Sequence, residues 1–394
     1  MKRALLVGLS AVLLGTTSAA AQVSSSELAR FSRYDDNSSR HVDYEIWTDL
    51  LYDIVLNVPV MDREPERLRA VNTGTRISTA NESRYRFEAN RVAYHLMSDE
   101  YQEAISAYRQ DLESLPGHVD LATLSSNEQL AYWLNLHNVA VIEQIMLNYP
   151  LTRVNRQEAY GTNENLFEAK ILNIAGVPLS LNDIRLRIVY RQWDDPRVIY
   201  GFFNGAIGGP EISRTAFDGD SVWTQLDRNA EEFINSLRGV EVARRELRVS
   251  HLYEEAAHFF PDFDNDLRAH LSVFANADTA EQLAPGRPVY ATIEDWHIAD
   301  LINGSTRCVG PGGAATMYSG SPDPSSGIVA AGTSCSTALP SNALVLLNAV
   351  QERRIELMRE GRYGEVYTVD IPTDENGNEL RLEPTEIDSP DDSE

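Results

Sequence analysis

Residues 127–150 read NEQLAYWLNLHNVAVIEQIMLNYP. Apolar side chains fall on almost every face of a helix with 3.6 residues per turn, and such a helix is buried all round rather than lying on a surface. Ser125 and Glu128 have capping-box spacing at its start, and Pro150 ends it. We therefore predict a central, buried helix from Ser125 to about Asn148.

The middle of this apolar helix carries the polar residues Asn135, His137 and Asn138. Buried polar side chains need hydrogen-bond partners, which they find in the core or in a ligand. His137 has two interpretations, a hydrogen-bonded core histidine or a general base. All three residues are candidate ligand-binding residues.

Periodicity and capping signals define elements on both sides of this helix. Upstream, 22–39 is polar and is interpreted as a loose arm, and helices are predicted at 44–58, 85–97 and 101–115. Downstream we predict a strand at 167–174, a helix capped by Ser180 and Asp183 and running to Arg191, an interior strand at 198–203, and helices beginning near 221, 250 and 265. Helices first, then strands mixed with helices, predict an α+β fold: a mostly helical domain with a small sheet.

A glycine-rich loop, 204–210, follows the predicted interior strand. Exposed backbone N–H groups in such a loop can approach a bound anion, although glycines also serve tight turns and close packing. The loop is neither a P-loop nor a dinucleotide fingerprint. The candidate ligand-binding residues of this region are Arg197, Asn204, Gly205, Gly208, Gly209 and Pro210.

Composition predicts the domain organisation. The main domain is assigned to 22–300, and 301–384 forms an appendage with a Gly/Ser-rich loop, a helix and a β-hairpin, followed by an acidic, disordered tail at 385–394. Cys308 and Cys335 are the only cysteines. An isolated pair in a chain outside the cytoplasm predicts a disulfide bond.

The N-terminus has the pattern of a secretory signal peptide at 1–21. Lys2 and Arg3 precede an apolar stretch from Ala4 to Leu14, and Ala19 and Ala21 form a cleavage site. The stretch is too short to span a membrane, and no later segment is long enough. We therefore expect cleavage after Ala21 and a soluble, acidic protein in the periplasm or secreted.

A net charge of −25 argues against nucleic acid as a partner, because phosphate binding relies on Lys and Arg. Glu255 with His258, and Glu294 with His297, have the spacing of metal ligands on one helical face, but eight histidines make such pairs expected by chance. We predict no metal and no cofactor. The expected partner is an unknown small molecule or a protein.

The ordered motifs resemble the family called domain of unknown function 547, best over 100–277. Leu130–Ala140 is similar to the family's helix motif LAFWINLYNAL, Gly176 with 179–184 to its "G…SL-DI" segment, and 195–212 to its DPRIHFALVCGAKSCPPL segment. The resemblance implies a compact α+β domain. It implies no agreed substrate.

The chain departs from the family in the glycine-rich loop. Aligned without a gap, the family's two cysteines fall on Asn204 and Gly209, so thiol chemistry is excluded at these positions. Our leading hypothesis is therefore an exported protein that binds a small molecule, peptide or partner protein without thiol chemistry. Two alternatives stay open: a hydrolase or transferase using His137 and Asn204, and an envelope structural or interaction protein.

Overall fold

A computed structural model describes residues 23–58, 83–85 and 88–300, and the backbone of three short strands beyond them, at 308–309, 315–316 and 366–368. Several sequence predictions fall outside these residues. They are the signal peptide at 1–21, Cys335 of the predicted disulfide, the helix of the appendage, the turn of its β-hairpin and the acidic tail at 385–394.

The predicted central helix is confirmed as α4 (Ser126–Leu147), in which every residue from Glu128 to Met146 is buried. The cap is half of a capping box. Ser125 Oγ accepts a hydrogen bond from the backbone N–H of Glu128 at 3.2 Å, but the Glu128 carboxylate turns away to Nδ1 of His41 at 2.9 Å. Glu128 therefore ties the start of α4 to strand β1 (Arg40–Val42).

The N-terminal segment is packed, so the predicted loose arm is wrong. Helix α1 (Ser25–Leu28) leads into a 3₁₀ turn at Ala29–Ser32. Val23, Leu28 and Phe31 are buried, and the Phe31 ring meets Trp133 of α4 edge-on, with ring centroids 5.2 Å apart. The apolar residues of this polar stretch are scattered and gave no periodicity, yet these three are buried.

Two helices precede α4 in the chain. Helix α2 (Glu45–Ile54) runs into β2 (Val55–Leu56), and α3 (Asp99–Ser114) packs directly on α4. The predicted helix at 85–97 is wrong where it is described: it contains β3 (Arg91–Val92), antiparallel to β2, and a 3₁₀ turn at Tyr94–Leu96. Backbone pairing of Val92 with β2 and with Ala299 outweighs its helical periodicity.

A tight hairpin and an unusual helix follow α4. Strands β4 (Leu172–Ile174) and β5 (Val177–Leu179) join through Ala175 and Gly176, both with positive φ, as a type I′ turn requires. The predicted capping of the next helix is confirmed, since Ser180 and Asp183 bond reciprocally to each other's backbone N–H. That helix is a π-helix over Asp183–Val189 that continues into α5 (Tyr190–Gln192).

The predicted interior strand at 198–203 is wrong. Pro196–Gly201 is a 3₁₀ helix, with the Asp195 side chain capping the N–H of Arg197 at 2.9 Å. Val198, Ile199 and Tyr200 are buried as expected. A short apolar run indicates burial but not period, and Pro at the first helical position favours the helical turn.

The remaining elements build a small sheet against the helices. After α6 (Val222–Asn235), β6 (Val240–Ala243) pairs antiparallel with β7 (Glu246–Ser250), and β7 pairs parallel with β8 (Val289–Ile293). Helices α7 (Leu252–Glu255), α8 (Phe263–Phe274) and α9 (Ala277–Gln282) lie between β7 and β8. Beyond the main domain, β9 (Cys308–Val309) pairs with β10 (Ala315–Thr316), and β11 (Val366–Thr368) pairs with β1.

The fold is α+β, mostly helical with small sheets, as the sequence predicts. One cluster of buried apolar side chains extends from Val23 to Ala299. Within the described part of the chain, no helix combines the length and apolar character needed to cross a membrane.

Candidate functional site

A cavity of about 220 Å³ opens beside the start of the glycine-rich loop. Its floor is buried and its rim is half-exposed. A ligand could therefore enter from the rim and make most of its polar contacts near the opening. The floor consists of His137, Ile199, Phe202, Asn204 and Leu252. The rim consists of Asn155, Asn165, Phe167, Asn182, Arg185, Glu255 and Trp296.

Backbone pairing brings Trp296 to this cavity. After β8, the chain runs alongside the glycine-rich loop, where Ile207 N–H donates to the His297 carbonyl at 2.8 Å and Gly208 N–H to the Asp295 carbonyl at 2.9 Å. Trp296 lies between these two pairings. The first residue of the loop, Asn204, and the segment around Trp296 therefore meet at one opening.

The Asn138 amide fixes the protonation of His137. Asn138 Nδ2 donates to the Gly201 carbonyl at 2.9 Å, and its Oδ1 accepts from Phe203 N–H at 3.0 Å. Because both partners are backbone groups, the amide has only one satisfied orientation. Its Oδ1 lies 3.1 Å from Nδ1 of His137, so Nδ1 must carry the proton and donate.

Nε2 of His137 is therefore an acceptor on the cavity floor. Burial lowers the pKa of His137 to about 3, so the ring is neutral near pH 7. The ring packs edge-on against Phe202, with centroids 4.8 Å apart. A neutral imidazole held in this way can accept a hydrogen bond from a ligand, but it is a weak base.

The loop glycines serve close packing. A Cβ on Gly209 would lie 2.1 Å from Oδ1 of Asn204, and one on Gly208 would lie 2.6 Å from the backbone of Asp295. Gly205 has φ +76° and faces Ile145. Of the candidate residues in the loop, only Asn204 lines the cavity. The structure does not place Gly205, Gly208, Gly209 or Pro210 on it, and the alternative role considered for the glycines, tight turns and packing, accounts for them.

Asn204 itself is oriented by its own loop. Its Oδ1 accepts from Ala206 N–H at 3.0 Å. This leaves Nδ2, a donor, for the cavity, since the structure gives it no hydrogen bond to the residues described. Gly209 thus supports the site indirectly, because any larger residue would displace the Asn204 amide.

Asn135 and Arg197 lie outside the cavity. Asn135 donates to the Phe217 carbonyl at 2.7 Å and accepts from Phe217 N–H at 3.0 Å, so both ends of its amide hold one backbone segment. Arg197 binds Asp195 and Asp227 and lies over the Trp223 ring, 4.6 Å from its centroid. Both residues have structural partners that account for their polar groups.

The rim carries a charged pair that no sequence pattern indicates. Arg185 Nη1 donates to Glu255 Oε2 at 2.6 Å, and Nη2 donates to Oδ1 of Asn182 at 3.2 Å. Although burial opposes its charged form, Tyr190 and Glu255 leave the pKa of Arg185 above its ordinary value. Arg185 lies on the π-helix, a rare form that recurs at functional sites, but no feature of the sequence indicates it.

Glu255 was considered only for its spacing to His258. The two side chains have different partners: Glu255 binds Arg185, whereas Nε2 of His258 lies 2.8 Å from the Tyr190 carbonyl. Among the residues that the structure describes, no group of three or more His, Cys, Asp and Glu is arranged to hold a metal ion.

One buried acceptor on the rim has no partner. Oδ1 of Asn155 is shielded from solvent and makes no hydrogen bond to the described residues. The Asn155 backbone, by contrast, accepts from Asn165 Nδ2 at 2.8 Å. A water-sized probe does not reach this oxygen from the cavity, so a molecule bound there would not supply its partner.

Comparison with protein families finds a match over part of the chain. Residues 121–234 match the family model described as "Protein of unknown function, DUF547". The matched region contains α4, the π-helix, the 3₁₀ turn, the glycine-rich loop and most of α6. No curated protein and no solved structure matches the chain. The chain therefore carries a DUF547 family domain at residues 121–234.

Proposed function

We propose that this chain is an exported protein that binds a small polar molecule in the cavity between α4, the π-helix and Trp296, without thiol chemistry. The observation that carries the proposal is a buried floor on which His137 Nε2 and Asn204 Nδ2 are left available for a ligand. Convergent polar groups over an apolar floor are typical of ligand sites.

The size of the cavity limits the ligand. Pockets for drug-sized molecules measure roughly 300–1,000 Å³. At about 220 Å³ this cavity is smaller, so a molecule of about ten to fifteen non-hydrogen atoms is the expected occupant, rather than a peptide or a protein segment.

An enzyme using His137 and Asn204 is the second candidate, because both residues line the same cavity. Two features count against it. The pKa of His137, about 3, makes the ring a poor general base near pH 7. Asn204 carries no nucleophilic group, and its amide oxygen is already bonded to Ala206.

Export remains part of the proposal on the strength of the signal pattern at 1–21. A role in the envelope through the appendage is compatible with the pairing of β11 with β1, which ties 366–368 to the main domain. Binding in the cavity does not depend on that pairing.

A thermal-shift screen tests the proposal. The purified protein is tested against a library of sugars, amino acids, organic acids and nucleosides, beside Asn182→Trp, which crowds the rim, and Asn173→Trp. Asn173 is an exposed residue of β4 away from the cavity, which makes it the matched control. We expect at least one compound to raise the Tm of the wild type and of the control, and not that of Asn182→Trp. No shift in the wild type, or equal shifts in all three proteins, contradicts the proposal.

A further inference from the structure

We infer that the ligand of this cavity is an uncharged, polyhydroxylated molecule of the size of a monosaccharide. The inference rests on the proposed function and names the class of ligand. Three features carry it: the balance of charge in the rim, the mixture of donors and acceptors, and an aromatic wall.

The charges of the rim compensate each other. Arg185 and Glu255 form an ion pair with an N–O distance of 2.6 Å, and Asn182 accepts from the remaining side of the guanidinium. A ligand carboxylate would have to compete with Glu255 for Arg185, and a ligand ammonium would have to compete with Arg185 for Glu255. Removing a charged ligand from water is costly when the site offers no unpaired charge of opposite sign. A neutral ligand is therefore favoured.

The free hydrogen-bonding groups are of both kinds. His137 Nε2 accepts, and Asn204 Nδ2 donates. A hydroxyl group donates one hydrogen bond and accepts two, so neighbouring hydroxyls on one ring can satisfy such a mixture.

Two aromatic side chains form one wall of the rim. The rings of Phe167 and Trp296 have centroids 5.8 Å apart and an interplanar angle of 54°. The face of an aromatic ring carries partial negative charge, which attracts the weakly positive C–H groups on the apolar side of a sugar ring. Apolar contact on one side and hydroxyl contacts on the other match the two kinds of surface here.

The residues of the cavity favour binding over cleavage. Glycoside hydrolysis generally requires two carboxyl groups that flank the bond, roughly 5–9.5 Å apart. Among the described residues that line the cavity, Glu255 is the only carboxylate, and it is held by Arg185. The site is therefore suited to hold a sugar unchanged.

Isothermal titration calorimetry tests the inference. Wild-type protein is titrated with D-glucose, D-galactose, D-mannose, D-ribose and N-acetyl-D-glucosamine, and with L-leucine, L-lysine and L-glutamate as charged probes of similar size. Glu255→Gln keeps an acceptor for Arg185 but removes the compensating charge. Asn204→Asp keeps the acceptor for Ala206 N–H but removes the Nδ2 donor. Glu254→Gln is the matched control, because Glu254 is exposed, adjacent in sequence and outside the cavity.

We expect saturable binding of at least one sugar, a Kd at least tenfold higher in Glu255→Gln and Asn204→Asp, and no change in Glu254→Gln. Circular dichroism checks that each variant is folded. Binding of the amino acids without binding of any sugar overturns the inference and leaves the proposed function standing. Sugar binding that all three variants retain also overturns it. If neither group binds and the wider thermal-shift screen also finds no ligand, the proposed function fails as well.

Discussion

Nδ1 of His137 lies 3.1 Å from Oδ1 of Asn138, the next residue of the same helix, and the Asn138 amide is held in turn by Gly201 and Phe203. This relationship determines which ring nitrogen carries the proton. It also connects the central helix to the turn that precedes the glycine-rich loop. The hydrogen bonds that orient His137 on the cavity floor therefore also hold these two elements together.

The depressed pKa of His137 predicts loss of stability in acid. In the unfolded chain the imidazole has a pKa of about 6.5, whereas burial lowers it to about 3 in the fold. As pH falls below 6.5, the unfolded state binds a proton that the folded state does not, which costs about 2 kcal/mol by pH 5. We expect His137→Asn, which keeps an N–H donor, to lose less stability between pH 7.5 and 5 in urea unfolding.

Two comparisons make that experiment specific. His118→Asn changes an exposed histidine and should leave the pH dependence as in the wild type. His270, whose pKa burial lowers to about 4, retains its own share of the acid sensitivity in every variant. Equal pH dependence of wild type and His137→Asn would contradict the buried, neutral state of His137.

Glu211 should act in the opposite direction. Burial, together with the nearby Glu232 carboxylate, raises its pKa to about 7. The folded state then holds a proton that the unfolded state releases, so this contribution is fully present below about pH 4.5 and is lost as pH rises to about 7. We expect Glu211→Gln to gain up to about 3 kcal/mol over the wild type at pH 8, relative to pH 4.5, in urea unfolding. Glu158→Gln, at an exposed site, should show no such gain, and a flat difference for Glu211→Gln would refute the assignment.

Gly209→Ala tests the packing role of the glycine-rich loop. The new Cβ would lie 2.1 Å from Oδ1 of Asn204, so the variant should lose about 1–3 kcal/mol of unfolding free energy. Gly117→Ala is the control, because its Cβ would meet nothing within 4 Å. In the Asn204→Ala background the clash is absent, so Gly209→Ala should lower the unfolding free energy by less. An unchanged cost would show that the glycine is needed for another reason.

Asn135→Leu should separate stability from binding. The change leaves the backbone N–H and carbonyl of Phe217 without partners, which costs about 2–4 kcal/mol. Because Asn135 does not line the cavity, the variant should retain the thermal-shift response to ligands at temperatures where it is folded. Loss of that response in folded protein would show that Asn135 contributes to ligand binding, contrary to this prediction.

Export predicts a defined mature N-terminus. Cleavage after Ala21 makes Gln22 the first residue, because Ala19 and Ala21 occupy the small-residue positions of the site. Intact-mass measurement of protein from the periplasmic fraction checks this. Recovery of a chain that retains Met1 in the membrane pellet would contradict both the processing and the location.

Local patterns were sufficient where the signal itself is local. The apolar character of 127–150 predicted a buried helix, and the spacing of Ser180 and Asp183 predicted a cap, because both depend on neighbours three or four residues away. The same reasoning misassigned 198–203, since a short apolar run reports burial and leaves the period undetermined. It also missed the packed segment after Val23, whose apolar residues are scattered.

The sequence by itself therefore determined the central helix, the α+β class, the family resemblance and the polar residues that had to find partners. Only the tertiary structure decided which of these polar residues bond to other protein groups and which keep a group free toward the cavity. The Asn135 amide is hydrogen-bonded to Phe217, 82 residues away. His137 and Asn204, by contrast, each keep one group free toward the cavity. Arg185 meets Glu255 across 70 residues of chain. Hydrogen bonds between distant segments depend on how helices and loops pack, and the spacing of residues along one segment carries no record of that packing.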